Sequence, residues 1–422
     1  MPGATSSPGR GDREGPLMAS ALPAGEAAPS GGLLPDTSYA ELGRRPFGFY
    51  VHVPFCSVRC GYCDFNTYTA TELGGGGDLR SYAATAVEEV RLARRVLGDT
   101  DLPVHTVFFG GGTPTLLPPG DLATVLQAIR DEFGLTPRAE VTTEANPDSV
   151  DAGSLAALRE TGINRVSFGM QSVVPHVLRT LDRTHDPLRL PEVVGWARAA
   201  GFGGVSLDLI YGTPGETLAD WARSLEAAVD LAPDHVSAYA LVVEEGTALA
   251  ARVGRGELPR PDDDDLADKY LLADERLGGA GFAWYEVSNW ARDEHARCRH
   301  NEGYWRDAHW WGVGPGAHSH VGGTRWWNVK HTTAFASRLA DGLSPALGRE
   351  MLTDQQRQVE RVMLGIRLVE GHPLADLHPA GRRAAGVAVT DGLLDPAAHA
   401  DGRAALTLRG RLLADAVVRA LT

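Results

Sequence analysis

A chain of 422 residues, 43% hydrophobic and 22% charged, has the composition of a globular protein with room for one large domain and a smaller one. Its net charge of −14 argues against a nucleic-acid or anionic-membrane partner, and no apolar run approaches the ~18–20 residues that span a bilayer, so no integral membrane protein is expected. The N-terminus lacks a basic stretch leading into an apolar one, so no secretory signal is expected, and the few, clustered cysteines suit a reducing cytoplasm.

Residues 1–46 are rich in Gly, Ala, Pro and Ser without periodicity and read as a disordered tail, with folded structure expected from Arg45-Pro46. From there a short apolar run, a polar or glycine-rich turn and a helical stretch recur. The strands are expected at Phe49–Val53, His105–Phe109, Glu140–Glu144, Asn164–Phe168, Val205–Ile210 and His235–Leu241. Apolar spacing near 3.6 places helices at Leu79–Leu97, Asp121–Phe133, Ser154–Thr161, Pro187–Ala200 and Leu218–Leu231, with Asp121 and Asp151 as capping residues. Such alternation implies a parallel α/β sheet, doubly wound or curved into a barrel, over residues 47–250. The polar motifs nearly all follow a strand directly, which is the habit of βα barrels, and six units make a partial (βα)6 TIM-like barrel. Beyond it, Pro261-Asp-Asp-Asp-Asp265 reads as a helix start. The next region, 251–349, contains an aromatic- and histidine-rich block, Phe282–Trp327. A mainly helical domain is expected over 350–422, with a strand-then-helix, winged-helix-like end at Leu406–Val418.

Three of the four cysteines, Cys56, Cys60 and Cys63, lie within eight positions in the spacing C-x3-C-x2-C. A disulfide would leave an odd thiol. A structural zinc site would need a fourth ligand, from His52 or Cys298, and there is no second C-x2-C knuckle. The remaining option is a four-iron cluster on three thiolates with one iron left open. Elsewhere, Gly110-Gly111-Gly112-Thr113 follows the second strand, and glycines there would admit close approach and offer free N–H groups. Glu144 ends the third strand, either as an acceptor suited to hydroxyls or as a surface acid. Asp208 sits inside an apolar strand, where an unpaired charge is costly, so it needs a partner. Arg183 can hold a carboxylate through two bonds.

The cysteine spacing, followed by an aromatic-rich loop, resembles the cluster motif of the radical S-adenosyl-L-methionine (SAM) superfamily. That resemblance implies a 4Fe-4S cluster whose open iron binds SAM and whose electron cleaves it to a 5′-deoxyadenosyl radical. Tyr50–Phe65, Gly110–Thr115, Thr143–Pro147, Ser167–Ser172, Arg183–Asp186, Asp208–Gly215, Tyr285–Asn289 and His300–Ser319 resemble, in order, the family of oxygen-independent coproporphyrinogen III dehydrogenase and its haem-chaperone relatives of the HemW branch. By that resemblance Gly111, Gly112, Thr113, Glu144, Gln171, Arg183 and Asp208 contact SAM and Tyr50 lies beside the cluster.

Within the family, the dehydrogenase carries a further cysteine two residues after the third ligand, where this chain has Phe65. The tail does not resemble the dehydrogenase's ordered extension. The run His300-Asn301-Glu-Gly-Tyr304-Trp305 is the H-N-x-x-Y-W feature that the HemW branch links to haem. The resemblance therefore implies a haem chaperone, with haem passed to an acceptor protein and electrons drawn from a donor such as a flavodoxin or ferredoxin. The dehydrogenase is the alternative. His300 is the candidate axial ligand, with Tyr304 and Trp305 packing on the porphyrin; the competing reading is a hydrogen-bonded core histidine. Cys298 reads as a small buried apolar residue, and His309, His318 and His320 are weaker candidates.

Overall fold

The computed structural model describes residues 25–73 and 77–422. All six expected strands form: β1 (Phe47–Val53), β2 (Val104–Gly111), β3 (Leu135–Ala145), β4 (Arg165–Gln171), β5 (Gly204–Tyr211) and β6 (His235–Ala240). They pair in that order and in parallel. Helices Gly77–Leu97, Pro119–Phe133, Ala152–Glu160, Leu190–Ala199 and Leu218–Asp230 connect them. This is the expected partial barrel.

The period-two alternation of each strand decides what faces the barrel interior. Along β5, Val205, Leu207 and Leu209 join the apolar core, whereas Ser206, Asp208 and Ile210 line a central cavity. Register carries the same phase to the neighbours: Ser206 stands opposite Ser167 and His235, and Asp208 opposite Ser237. The helices start on local side-chain bonds. Asp151 and Ser154 form a capping box, and so do Thr217 and Asp220. Asp121, expected as a cap, lies instead in the first turn of its helix, because Pro118 and Pro119 begin that helix earlier.

Three differences from the sequence reading concern the flanks. Residues 251–349 do not stand apart from the barrel. Hairpin Ala283–Glu286/Asn289–Ala291 extends the sheet beyond β6, and strand His309–Val313 runs parallel to β1, followed by antiparallel strands as far as Met351; with Glu26–Ala27 at its edge, this sheet has thirteen strands among the described residues. Secondly, residues 25–46 are not a tail. Glu26–Ala27 pairs with Arg349 and Gly348, Leu34 enters the core, and the Ser38 hydroxyl lies 2.7 Å from that of Thr324. An open sheet edge captures backbone, which a low-complexity composition still supplies. Residues 1–24 of the expected tail lie outside the described residues. Thirdly, the strand near the C-terminus is Arg403–Ala404, paired with His372–Pro373, and helices Leu408–Leu412 and Ala414–Leu421 follow it. This mainly helical region has its own core around Ile366, Ala385 and Val417. Helix Asp263–Gly279 begins at Asp262, as expected from its acidic start. Among the described residues no helix is long and apolar enough to cross a membrane.

Candidate functional site

The cysteine loop is folded back over the C-terminal ends of the strands. Phe55–Cys56 pairs with Tyr68–Thr69, closing the loop on itself. The glycine turn after β2 then seats it: Gly112 N–H donates to Val53 O at 2.8 Å and Thr113 N–H to Phe55 O at 2.7 Å. A Cβ on Gly111 would meet the His52 ring at 2.5 Å, and one on Gly112 would strike the Phe55 carbonyl. Packing of the loop therefore demands these glycines. Their amides are not free, since that of Gly111 donates to Glu144 Oε2 at 3.1 Å.

Cys56, Cys60 and Cys63 are half-buried, and none of the four cysteines is disulfide-bonded. Burial raises the Cys56 thiol and pushes that of Cys63 up to about 11, so these groups become thiolates only with a cation beside them. Both candidates for a fourth zinc ligand are engaged elsewhere. His52 bonds the Tyr50 hydroxyl at 3.0 Å and Asn66 O at 2.9 Å, while Cys298 lies buried at the far end of the barrel, 3.7 Å from Glu140. Among the described residues the donor set is thus three thiols with no fourth protein ligand, which fits a cluster with one open iron. No three metal-binding side chains among the described residues converge on one point. Arg183 backs the loop, donating to Cys60 Sγ at 3.5 Å, to Asn146 Oδ1 at 2.7 Å and to Gly169 O at 2.8 Å.

Beneath the loop lies a cavity of about 470 Å³. Tyr50, Cys63, Gly111, Glu144, Gln171, Asp208 and His300 all line it. Cys56, Cys60, Gly112, Thr113 and Arg183 form the layer that seats the loop. Thr113 accepts from Asn146 Nδ2 at 2.9 Å. Burial, helped by Asp208, pushes Glu144 up to about 8, so its carboxyl is largely protonated at neutral pH. Asp208 finds the partner its position requires: Ser167 Oγ donates to it at 2.7 Å, and burial raises its pKa although Arg165 opposes this. Gln171 has φ of 57° at a break in the β4–β5 register, a left-handed conformation that non-glycine residues rarely take. Strain at that place aims its amide into the cavity.

His300 is buried and neutral, its pKa pushed down to about 3 by burial. Nδ1 lies 2.9 Å from Thr106 Oγ1 and Nε2 lies 2.8 Å from the Tyr304 hydroxyl, while the ring stacks on Phe108 at 5.2 Å. Both nitrogens are thus occupied by side-chain partners, and axial ligation would first require the bond to Tyr304 to open. Trp305, expected beside a porphyrin, instead bonds the buried Glu286 carboxyl. His309 and His320 hold backbone carbonyls, of Glu41 and Ala308, and His318 is exposed; none lines the cavity.

Two residues that the sequence reading passed over organise the floor. Glu140, near the middle of β3, accepts from the backbone amides of Arg299 and His300, each at 3.1 Å, and so caps helix Arg299–Trp305 from 160 residues away. Arg165 opens β4 and lines the cavity. Its signal was the phase it shares with Ser167.

Residues 50–228 match the model of the radical SAM superfamily. The chain is 55% identical to the heme chaperone HemW of Mycobacterium tuberculosis over 90% of this chain and 96% of that protein. It is 35% identical to the heme chaperone HemW of Synechocystis over 79% of this chain and 80% of its relative. Its fold is similar to that of coproporphyrinogen III oxidase (HemN) from Escherichia coli, a radical SAM enzyme, with a TM-score of 0.78 at 23% identity over 94% of this chain and 96% of that one. The chain belongs to the radical SAM superfamily and, within it, to the family of HemW proteins.

Proposed function

We propose that this protein is a cytoplasmic haem chaperone. Cys56, Cys60 and Cys63 hold a 4Fe-4S cluster, SAM completes the open iron, and haem is bound and passed to an acceptor protein. The observation that carries the reading is one continuous cavity running from Cys63 and Glu144 to the aromatic wall of Phe108, His300 and Tyr304. The names of the HemW relatives support the haem assignment. When bound, such a cluster supplies single electrons to SAM, drawn from a flavodoxin- or ferredoxin-like donor. The chain's own part is to orient and to exclude water. Glu144, kept protonated, and Gln171 face the same space as Asp208, and donors and acceptors of this kind suit a ribose and an amino acid. Haem ligation by His300 would exchange its bond to Tyr304 for a bond to iron. Phe65, 58% exposed at the rim, replaces the cysteine of the decarboxylating branch.

The test is a Soret titration of cluster-reconstituted protein with haem, followed by transfer to an apo-haem protein. Saturable binding with transfer, together with no protoporphyrinogen IX from coproporphyrinogen III, SAM and reductant under anaerobic conditions, is expected. Many turnovers of protoporphyrinogen IX would make the protein a dehydrogenase despite Phe65. An unchanged titration with His300→Ala would remove His300 as the ligand and leave the rest standing.

A further inference from the structure

The floor of the barrel holds a charge with an unfilled bond. Arg165 is the first residue of β4, between Thr142 of β3 and Gly204 of β5. It is 6% exposed and lines the cavity, yet its Nη2 has no hydrogen-bond partner. Leaving a guanidinium donor unsatisfied in a buried site is costly, because the ionic group has given up water for nothing in return. Its neighbours do not fill the gap. Glu140 influences it as a nearby charge, but both Glu140 oxygens are engaged, by Arg299 N, His300 N and the Cys298 thiol. Asp208 also acts through its charge, and its Oδ2 accepts from Ser167.

Apart from these two acids, the groups around Arg165 are hydroxyls and a neutral imidazole. His235 lies between Ser206 Oγ at 2.7 Å and the Tyr285 hydroxyl at 2.8 Å, and burial together with Arg165 keeps it uncharged. Such a pocket, with one fixed cation, hydroxyls beside it and two acidic groups nearby, suits a single negative charge. A phosphate dianion would meet Glu140 and Asp208 as repulsion. The planar fork of arginine matches a carboxylate.

We infer that Arg165 anchors the carboxylate of a ligand that enters the barrel interior. The carboxylate comes either from the methionyl end of SAM or from a porphyrin propionate, and the two sources share this chemistry. A charge-assisted bond of this kind is worth about tenfold to a hundredfold in affinity. The inference rests on the functional reading above only in taking haem as one of its probes.

The experiment compares ligands with and without the carboxylate on two proteins. Cluster-reconstituted wild type and Arg165→Gln are titrated anaerobically with SAM and decarboxylated SAM, and with haem and haem dimethyl ester. The wild type is expected to prefer the acid in at least one pair, and Arg165→Gln to lose about tenfold of that preference in the same pair, which names the source. A general disturbance of the barrel weakens both members of a pair alike and leaves the preference unchanged. Preferences equal in the two proteins for both pairs, or absent from the wild type, overturn the proposal. If Arg165→Gln does not fold, Arg165→Lys keeps the charge and loses the fork; a preference cut at least threefold is then expected, and an unaltered one overturns the assignment. Wild type that binds SAM and not haem ends the haem reading, and the SAM pair alone then decides for Arg165. Wild type that binds neither ends both.

Discussion

The two ends of the cavity are built by different means. At the mouth, functional side chains lie toward or after the C-terminal ends of the strands, and the thiols of the cysteine loop are half-buried and free of disulfides, with Arg183 beside Cys60 and Thr67 and Thr113 beside Cys56. At the floor, side chains from the interiors and beginnings of strands meet a helix that arrives 160 residues after the carboxylate capping it. The mouth is therefore open to something from outside, whereas the floor has largely satisfied its own groups. Charge differs less than composition suggests: Glu144 is held protonated at one end and His300 unprotonated at the other, so burial neutralises acid and base alike. Arginine, which cannot shed its proton, stays charged at both ends.

That contrast can be broken by experiment. The largest expected effect is at the mouth: Cys60→Ala should abolish the iron–sulfur absorbance completely. The denaturation midpoint of the cluster-free protein should stay within about 0.5 kcal/mol of wild type. A surviving chromophore would sink the ligand assignment. Glu140→Ala is the reciprocal change at the floor. It orphans the buried amide of His300 and the half-buried amide of Arg299 and should cost about 3 kcal/mol in urea denaturation, while the iron–sulfur spectrum after reconstitution persists. Loss of both together would mean that the ends are not separable.

The two ends also titrate in opposite senses. Glu144 has a folded pKa of about 8 against an ordinary 4.5, so its stabilising contribution is full below 4.5 and lost as pH rises through 8. His300, at about 3 against an ordinary 6.5, contributes stability above 6.5 that is lost as pH falls toward 3. In cluster-free protein, Glu144→Gln should flatten the alkaline limb of stability against pH, by at most about 1.4 kcal/mol per pH unit. It should leave the slope below pH 4.5 alone, and His300→Gln should flatten the slope between about 3 and 6.5 and leave that above 6.5 alone. Identical profiles for wild type and both variants would contradict these assignments. The smallest effect lies away from the cavity. Asp262→Ala removes the cap on helix Asp263–Gly279 and should cost about 1 kcal/mol with SAM affinity unchanged by calorimetry.

What could be read from the sequence follows the same division. The six barrel strands were legible because each is an apolar run bounded by turn residues, and Asp208 was legible as a group needing a partner because it interrupts such a run. The cysteine loop was legible because its chemistry is carried by neighbours in the chain. Glu140 was not, since its reason for being buried is a pair of backbone amides from a distant helix, and no local pattern records that. The glycines at 110–112 suggested a ligand's approach, but the atoms that exclude a Cβ there belong to Phe108, His52 and Phe55 of the protein itself. The strand at Glu26–Ala27 escaped notice because an edge pairing depends on backbone and leaves no signature in side chains. His300 was legible as significant, and its two hydrogen bonds show a set position that spacing could not supply.

The parallel pairing of His309–Val313 with β1 bears on how the molecule is made. A ribosome releases the cysteine loop early, yet one edge of the strand that leads into it has no neighbour until residues beyond 309 have emerged. During that interval the nascent barrel carries a bare parallel edge beside three unmetallated thiols. Both invite the wrong partner: another chain for the edge, an oxidant or a stray metal for the thiols. Completion of synthesis thereby bears on both at one strand. Slow elongation between residues 65 and 309 would prolong the exposure of both.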